Sequence, residues 1–474
     1  MGSLTLIKTT RKTYSMLDKL TIISVKNSTW ITSWISQFCN SADLKKAGLY
    51  KRSGASVASL LRLLIALPLV GLSVHQFKGK QLPVPGRDSF YRMLEQPRYN
   101  WRVLLYQIAA KLTQYFSTLT DTDARRVLII DDSSYKRNRS KHVQYLGRQH
   151  DHSEHRYYSG FRMLTLAWSD GHSCLPCEFE LMTNADRSKR IGPDPNVDRR
   201  TVMGQRVKAA TAKATDTTVQ MVHRALRYIS GADCVVFDSW FCLPSVIAPI
   251  AEKIPVICRA KNIAAVRFKS GKRIFSLNSL YHHVKKMPTR HKAPESVIGW
   301  ITLDLLNVGP VRVVFIRNTN APTGWSAIMS TNTKLTPKAI IQYYAQRWDI
   351  EVCFKVLKQH MSLHEMQVRN YTTMVAYTSV VFIRYMMICY YHRCCRDERT
   401  LPGIFYHCVQ QLQAASLICC IMLIQQRLME QIIAQALQPA YCLISGMADT
   451  LKTFIALINP ALTGANTLNV KCES

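Results

Sequence analysis

Two short apolar runs, each followed directly by aspartate, stand out in the pattern of hydrophobic and polar positions. Residues 127–130 run into Asp131 and Asp132, and residues 234–237 run into Asp238. Four-residue apolar runs rich in β-branched side chains are typical of buried strands. We therefore predict two buried strands that end in aspartate, although an aspartate at that position can also simply cap the next turn or helix.

A longer block of alternating apolar and polar residues, 259–330, predicts further strands. The alternation is clearest in three segments: 296–306, 311–316 and 325–329. Such alternation is the pattern of half-buried strands. The block lies between Asp238 and Glu351, which are 113 residues apart. A strand–helix connection needs far fewer residues, so we predict an inserted, β-rich subdomain.

The remaining sequence is mainly helical in pattern. Residues 1–115 contain apolar periodicity on both sides of a Pro/Gly break at 83–86, and residues 396–474 are rich in Leu, Ile, Met and Gln. Residues 205–230 also have helical periodicity, whereas 162–171 has the pattern of a hairpin. Several short basic helices ahead of the strands suit a helical region that binds DNA ends, and a purely structural cap is the alternative.

One predicted helix carries four reactive or ionic side chains at spacings that place them together. Tyr344, Arg347, Glu351 and Lys358 are separated by three, four and seven residues. At about 100° per residue they fall within roughly 60° of one another on a helix. A carboxylate, two cations and a phenol on one stripe suit a metal ion beside a phosphodiester. The alternative is a solvated face with ordinary ion pairs.

The charge balance favours a nucleic-acid partner. The 474 residues include 62 Lys and Arg against 30 Asp and Glu, giving a net charge of +32 and a pI near 9.8. Such an excess of positive charge is typical of a phosphate-binding surface. A basic protein could equally bind another anionic partner, such as ribosomal RNA or a membrane surface. Lys136, Arg137 and Arg139 directly follow the first predicted strand, where they could guide a DNA strand or merely solvate a loop.

Other features of the sequence fit a protein of the cytosol. The N-terminal residues lack the apolar core of a signal peptide. The segments 57–74 and 374–391 are apolar but contain Arg or Pro, so we predict buried helices. The 15 cysteines are scattered and odd in number, which predicts reduced thiols. Cys174 and Cys177 form a lone CxxC, which is a weak basis for a zinc site.

The stripe also matches a family signature. Tyr344, Arg347, Glu351 and Lys358 give the pattern Y-x2-R-x3-E-x6-K, and the chain resembles the DDE transposases of bacterial insertion sequences of the "IS four" type. The resemblance covers about 120–395 and includes segments 132–136, 160–164 and 238–241. It implies an α/β fold: an RNase H-like catalytic core with a β-rich insertion, flanked by helical N- and C-terminal regions.

The resemblance implies five regions along the chain. They are a helical DNA-binding region (1–115), the first part of the core (116–258), the β-rich insertion (259–330), the second part of the core with the Glu helix (331–395) and a helical C-terminal region (396–474).

The resemblance also implies the catalytic residues. We expect Asp132, Asp238 and Glu351 to be catalytic ligands of two Mg²⁺ ions, for which Mn²⁺ can substitute. Two such ions about 4 Å apart hold a phosphodiester between them. Asp132 is preferred to Asp131 because it resembles the family aspartate that precedes Ser or Thr. Only one of the two should face the metals, because side chains alternate along a strand.

In the family, the Tyr, Arg and Lys of the signature contact the DNA backbone. These roles fall on Tyr344, Arg347 and Lys358. Some relatives form a DNA hairpin and stack a flipped base on a Trp shortly before the Glu helix. Trp325 resembles that residue, and a Trp in a core strand is the alternative.

We therefore predict a cut-and-paste transposase that binds the terminal inverted repeats of its element and joins the cut 3′ ends to target DNA. Its partners would be double-stranded DNA and a second copy in a homodimer, without a membrane, in the nucleoid-associated cytoplasm of a bacterium. Three alternatives remain: a metal-dependent nuclease without strand transfer, a non-catalytic DNA-binding derivative of a transposase and an RNA-binding structural protein.

Overall fold

The computed structural model describes residues 29–70, 74, 85–151, 154–287, 296–318, 324–394 and 399–410. All of them belong to one compact unit, Val25–Gln411. The helices predicted within 1–28 and 411–474 lie outside the described residues.

Helices occur mainly before the first strand, between the two aspartate strands and after the last strand. They are α1 Thr29–Phe38, α2 Ser41–Lys46, α3 Val57–Ala66, α4 Arg87–Leu94, α5 Trp101–Ser117, α6 Val202–Ala210, α7 Ala214–Ala225, α8 Pro244–Ala251, α9 Leu277–Lys285, α10 Pro337–Ala345, α11 Trp348–Gln359 and α12 Tyr371–Cys394. Residues 401–410 are helical as well.

The strands form a single 11-stranded sheet. They are β1 Val127–Lys136, β2 Gly147–Asp151, β3 Arg156–Ser169, β4 Cys174–Met182, β5 Cys234–Phe237, β6 Val256–Arg259, β7 Phe268–Ser270, β8 Arg273–Phe275, β9 Val297–Leu305, β10 Gly309–Arg317 and β11 Trp325–Ser330.

The order of strands defines the core of the sheet. β1 lies between β3 and β5, and β6 lies on the far side of β5. β1, β5 and β6 are parallel, whereas β3 is antiparallel to both β1 and β4. A strand that is buried on both faces has a continuous run of apolar residues. The first four residues of β1 and all four residues of β5 are buried and apolar for this reason. This mixed α/β arrangement is consistent with the RNase H-like fold predicted from the sequence.

Strands from the block 259–330 extend this same sheet. β11 pairs with β6, and β10, β9, β7 and β8 follow outward in that order. The three strands predicted within the block are confirmed as β9, β10 and β11, and the predicted hairpin at 162–171 is confirmed as β3–β4. The domain boundaries themselves remain a prediction.

The described residues of the two apolar segments considered as membrane candidates are mostly buried inside the protein. Helix α12 is the one helix in the described part of the chain that is long and apolar enough to cross a membrane, and 89% of its apolar window is buried. Its Arg384 is fully buried and donates hydrogen bonds to the carbonyls of Leu64, Ile65 and Met361. This guanidinium therefore fixes α12 against the end of α3, which is itself largely buried.

A buried ionic cluster joins the helices to the outer core strand. Glu178 and Glu180 of β4 are both completely buried. Arg102 of α5 lies 2.6 Å from Glu178 and 2.5 Å from Glu180. Arg206 of α6 contacts Glu180 at 3.4 Å, and Arg224 of α7 contacts Glu178 at 2.7 Å. Each carboxylate is thus paired with cations from two different helices.

Removing one carboxylate from this cluster should destabilise the fold strongly. Glu180→Gln leaves two buried guanidinium groups, Arg102 and Arg206, short of negative charge, and breaking a buried pair costs about 3 kcal/mol or more. We expect the free energy of unfolding to fall by that amount in denaturant titrations followed by circular dichroism. The exposed Glu252→Gln is the control and should change little; equal losses in both variants would contradict the structural role of the cluster.

Candidate functional site

Asp131 and Asp238 lie next to each other at one edge of the sheet. The parallel pairing of β1 with β5 runs from Val127 opposite Cys234 to Ile130 opposite Phe237. The next residues in the same register are Asp131 and Asp238. Neighbouring residues in register on parallel strands point to the same face, so the two carboxylates share a face where β5 ends. β1 itself continues to Lys136, because β3 pairs with it as far as Gly160.

Asp131 and Asp132 contact different elements. Asp131 Oδ2 lies 3.2 Å from Arg347 Nη1, whereas Asp132 Oδ2 lies 2.7 Å from Arg162 Nε on β3. Side chains alternate along a strand, so these contacts lie on opposite faces of the sheet. Asp131 therefore lies on the face that meets the Glu helix, whereas Asp132, the residue expected to bind the metals, contacts β3. Which of the two is the metal ligand stays a prediction.

The signature residues are distributed over two helices rather than one. Tyr344 is in α10, whereas Glu351 and Lys358 are in α11, with Arg347 at the junction. There the Arg347 amide bonds to the Tyr344 carbonyl, three residues back, as in a 3₁₀ turn. The Gln346 side chain donates to the Arg125 carbonyl at 3.1 Å, which ties this turn to the residues preceding β1.

Three signature residues nevertheless meet the face of β1 that carries Asp131. Arg347 hydrogen-bonds both Asp131 and Glu351, so its guanidinium bridges the two carboxylates. Lys358 Nζ donates to Ser133 Oγ at 2.6 Å, one strand repeat beyond Asp131. The structure therefore brings Arg347, Glu351 and Lys358 together beside Asp131.

Burial changes the ionisation of this group of residues. Burial raises the pKa of Asp131 to about 7, and the neighbouring Asp132 carboxylate adds to the rise against the opposing effect of Arg347. Burial also raises the pKa of Tyr344 to about 12, with Asp238 among the contributing charges. Burial, reinforced by Lys136, lowers the pKa of Lys358. A shared face with several carboxylates disfavours their simultaneous ionisation unless a cation lies among them.

The donor atoms on this face fit a hard divalent cation. Asp131, Asp238 and Glu351 offer carboxylate oxygens, the ligands that Mg²⁺ prefers. Across the described residues, no three His, Cys, Asp or Glu side chains converge closely enough to hold a metal ion. Glu351 is paired with Arg347, a contact that it would have to leave in order to join Asp131 around a metal.

The three basic residues predicted to contact DNA after the first strand differ in how far they are engaged in contacts within the protein. Lys136 pairs with Glu154 at 2.5 Å and with Asp151 at 3.4 Å. Arg137 donates to the His364 carbonyl at 2.9 Å and to the Tyr135 hydroxyl at 3.0 Å. Arg139 is exposed. Two of the three basic residues after the first aspartates are therefore engaged within the protein.

Trp325 lies at the start of β11. Because β11 is antiparallel to β6, this end of β11 is at the same edge of the sheet as Asp238. One face of the indole stacks on Tyr281 of α9 at 4.3 Å between ring centroids, and Phe315 contacts its edge. Only the other face of Trp325 is left for a further stacking partner.

Arg162 and Trp240 were not assigned a role from the sequence. The Arg162 guanidinium lies 3.8 Å from the centre of the Trp240 ring and also pairs with Asp132. Arg162 thereby connects β1 to the turn that follows Asp238. Both residues lie in segments that carry the family resemblance, 160–164 and 238–241. This resemblance was the one feature of the sequence that could have identified them as part of the site.

Comparison with known protein families gives two matches. The model for the DDE superfamily endonuclease matches residues 81–278, and the model for the transposase DDE domain matches residues 196–387. The first match includes Asp131 and Asp238, and the second includes Asp238 and Glu351. No curated protein matches the chain. The two matches support a nuclease of the DDE transposase type, with DNA as its substrate; such nucleases typically use divalent metal ions.

The raised pKa of Asp131 predicts a pH-dependent stability. An acid with a raised pKa in the folded state stabilises the fold at low pH, and this contribution is lost as pH rises through about 7. From pH 6 to pH 8, wild type should lose about 1.4 kcal/mol of unfolding free energy relative to Asp131→Asn. Denaturant titrations in EDTA at both pH values measure this difference.

The exposed carboxylate Asp123 provides the matched control for this experiment. Asp123→Asn should follow the pH dependence of the wild type, since its side chain lies in water. Parallel pH profiles for wild type and Asp131→Asn would show that Asp131 ionises normally.

Proposed function

We propose that the chain is a cut-and-paste transposase that cleaves DNA at the terminal inverted repeats of an insertion sequence and joins the 3′ ends to target DNA. The observation that carries this proposal is the meeting of Asp131, Arg347 and Glu351 on one face, at the edge where Asp238 also lies. The two family matches, which together span these residues, support nuclease chemistry. Family membership in the "IS four" type remains part of the proposal.

We assign the ligand role to Asp131, Asp238 and Glu351, with Asp131 in place of Asp132. Asp132 points to the opposite face and is neutralised by Arg162. Two divalent ions bound at the three carboxylates would polarise the phosphodiester and stabilise the leaving oxygen. The protein's own contribution is to place Asp131 and Asp238 at one edge of the sheet and Glu351 on the neighbouring helix, where Glu351 can exchange Arg347 for a metal ion.

Cationic and phenolic side chains around this edge would hold the DNA. Arg347 can contact two oxygens of a phosphate with its planar guanidinium. Lys358 lies next to β1 and would contact a phosphate as a point charge. Tyr344 remains protonated at neutral pH and can donate its hydroxyl proton. Lys136, Arg137 and Arg139 would continue the contacts along the backbone, and a homodimer would hold the two ends of the element together.

A metal-dependent nuclease that does not join strands is the second candidate. It is favoured by the endonuclease description of the family that matches residues 81–278. Incubating the protein with a pre-cut repeat end and a target plasmid distinguishes the two. Joined products support the transposase, whereas cleavage without joining supports the nuclease.

Cleavage assays with three variants test the catalytic assignment. The substrate is a labelled duplex carrying the terminal repeat of the element, incubated with Mg²⁺ or with EDTA. Glu351→Gln and Asp131→Asn should slow Mg²⁺-dependent cleavage by about 100-fold or more, because each removes a carboxylate ligand of the ions that stabilise the transition state. Asp132→Asn should retain most activity, since its carboxylate faces Arg162.

Gel-shift binding of the same duplex provides the control for folding and DNA affinity. All three variants should bind as the wild type does. An inactive Asp132→Asn together with an active Asp131→Asn would reverse our assignment, and tight binding without cleavage by the wild type would favour a non-catalytic DNA-binding derivative.

Trp325 is proposed to stack on a flipped base with its uncovered face. Stacking of a base on an aromatic ring contributes about 1–3 kcal/mol. Trp325→Ala should therefore reduce strand opening, measured by the fluorescence of 2-aminopurine near the repeat boundary, more than it reduces binding. Trp325→Phe should preserve part of the signal. Equal losses of opening and binding would indicate that Trp325 only packs against Tyr281.

A further inference from the structure

A basic cleft lies at the end of β1, five residues beyond Asp131. Its volume is about 770 Å³, and its walls are two segments, residues 136–143 and 364–369. The first wall continues directly from β1, and the second joins the end of α11 to the start of α12. The cleft is therefore connected through the backbone to both Asp131 and Glu351. We call it the 136/364 cleft.

The charges on the two walls are strongly unequal. Four cationic side chains line the cleft, against a single carboxylate, Glu365. They are Lys136, Arg137, Arg139 and Arg369. Arg139 and Arg369 are both exposed, one on each wall, and neither forms an ion pair with another described residue. Unpaired arginines on both walls of one cleft suit a ligand with repeated negative charge.

The walls are held in position by contacts that leave these two arginines free. The Gln144 amide donates to the Arg369 carbonyl at 2.8 Å, and the Gln144 side chain accepts from the Tyr371 amide at 3.0 Å. Arg137 crosses from one wall to the other by donating to the His364 carbonyl at 2.9 Å. These bonds fix the backbone on both sides, so the cleft is formed before any ligand binds.

His364 adds an unsatisfied polar atom to the cleft. Its Nε2 is buried and has no hydrogen-bond partner in the described part of the chain, although its ring packs edge-on against Tyr135. Burial, together with Lys358 and Arg137, lowers the pKa of His364 to about 4. The imidazole is thus neutral at physiological pH and adds nothing to the repulsion among the cations of the cleft.

We propose that the 136/364 cleft binds the phosphodiester backbone of the DNA strand that leads away from the cleavage point, with Arg139 and Arg369 as the two phosphate contacts. This inference rests on the proposed function, which supplies DNA at the adjoining edge. Phosphate contacts by arginine position a strand without reading its sequence. The second wall, with His364 and Arg369, extends the binding surface beyond the basic residues that follow β1.

The salt dependence of DNA binding tests the cleft. Each lost phosphate contact lowers the slope of log K against log salt by about 0.9, so Arg139→Ala/Arg369→Ala should lower it by roughly 2. Affinity is measured by fluorescence anisotropy on the repeat duplex over a series of KCl concentrations. Arg227→Ala/Lys253→Ala is the charge-matched control: both residues are exposed and precede β5 and β6, at the opposite edge of the sheet.

The control double variant should keep the wild-type slope. An equal decrease in both double variants would overturn the proposal, because it would reflect total charge rather than a site, and so would an unchanged slope in the cleft variant. Arg139→Lys/Arg369→Lys should restore most of the slope, which separates charge from folding.

Replacing single phosphates of the DNA by uncharged methylphosphonates locates the phosphates that the cleft contacts. Methylphosphonates scanned along the duplex should weaken the wild type at two positions on one side of the cleavage point and leave the cleft variant unaffected there. Failure of this inference differs from failure of the proposed function: a cleft variant that binds and cleaves like wild type disproves only the cleft, whereas a wild type that neither binds nor cleaves the repeat disproves both.

Discussion

The parallel pairing of β1 with β5 is the constraint on which the candidate site depends. The ladder is only four residues long, and it stops where β5 ends and β1 continues alongside β3. Beyond that point β1 has β3 along one edge and no strand of the sheet along the other, which leaves room for α11. Asp131, Ser133 and Asp238 are placed by this difference in strand length, and Arg347 and Lys358 reach them from the helix.

The strongly basic chain can form a stable core because several of its acids are paired with arginines inside the protein. Glu178 and Glu180 each neutralise arginines from helices that are far apart in the sequence. Asp132 similarly neutralises Arg162. An unpaired charge inside a protein is costly, so these acids allow arginines to be buried beneath the sheet. Arg139 and Arg369, which form no ion pair with another described residue, lie at the surface.

The sequence could predict the strands and which residues belong to the site, but not the face of the sheet to which each side chain points. Apolar runs and alternation correctly predicted β5 and β9–β11, because burial on one or both faces leaves a direct mark in residue order. The strand predicted to end at Asp131 and Asp132 instead continues to Lys136 as β1, because β3 pairs with it that far. The choice between Asp131 and Asp132 could not be made this way, since it depends on which face α11 covers. The break between α10 and α11 depends on Gln346 reaching the Arg125 carbonyl, a contact over more than 200 residues that periodicity does not encode. Likewise, the basic run after β1 gave no sign that Arg137 is held by His364 while Arg139 is free.

The bridging position of Arg347 has a thermodynamic consequence. One guanidinium serves as an internal counter-ion for Asp131 and Glu351, so the carboxylates remain together without any external cation. Under the proposed function, a divalent ion must compete with this arginine, whereas a phosphate draws the arginine away. The two ligands are then positively linked: each raises the affinity for the other by the same factor. A protein built in this way would hold its metals weakly when alone and tightly on DNA, so that the cutting machinery is assembled by its own substrate.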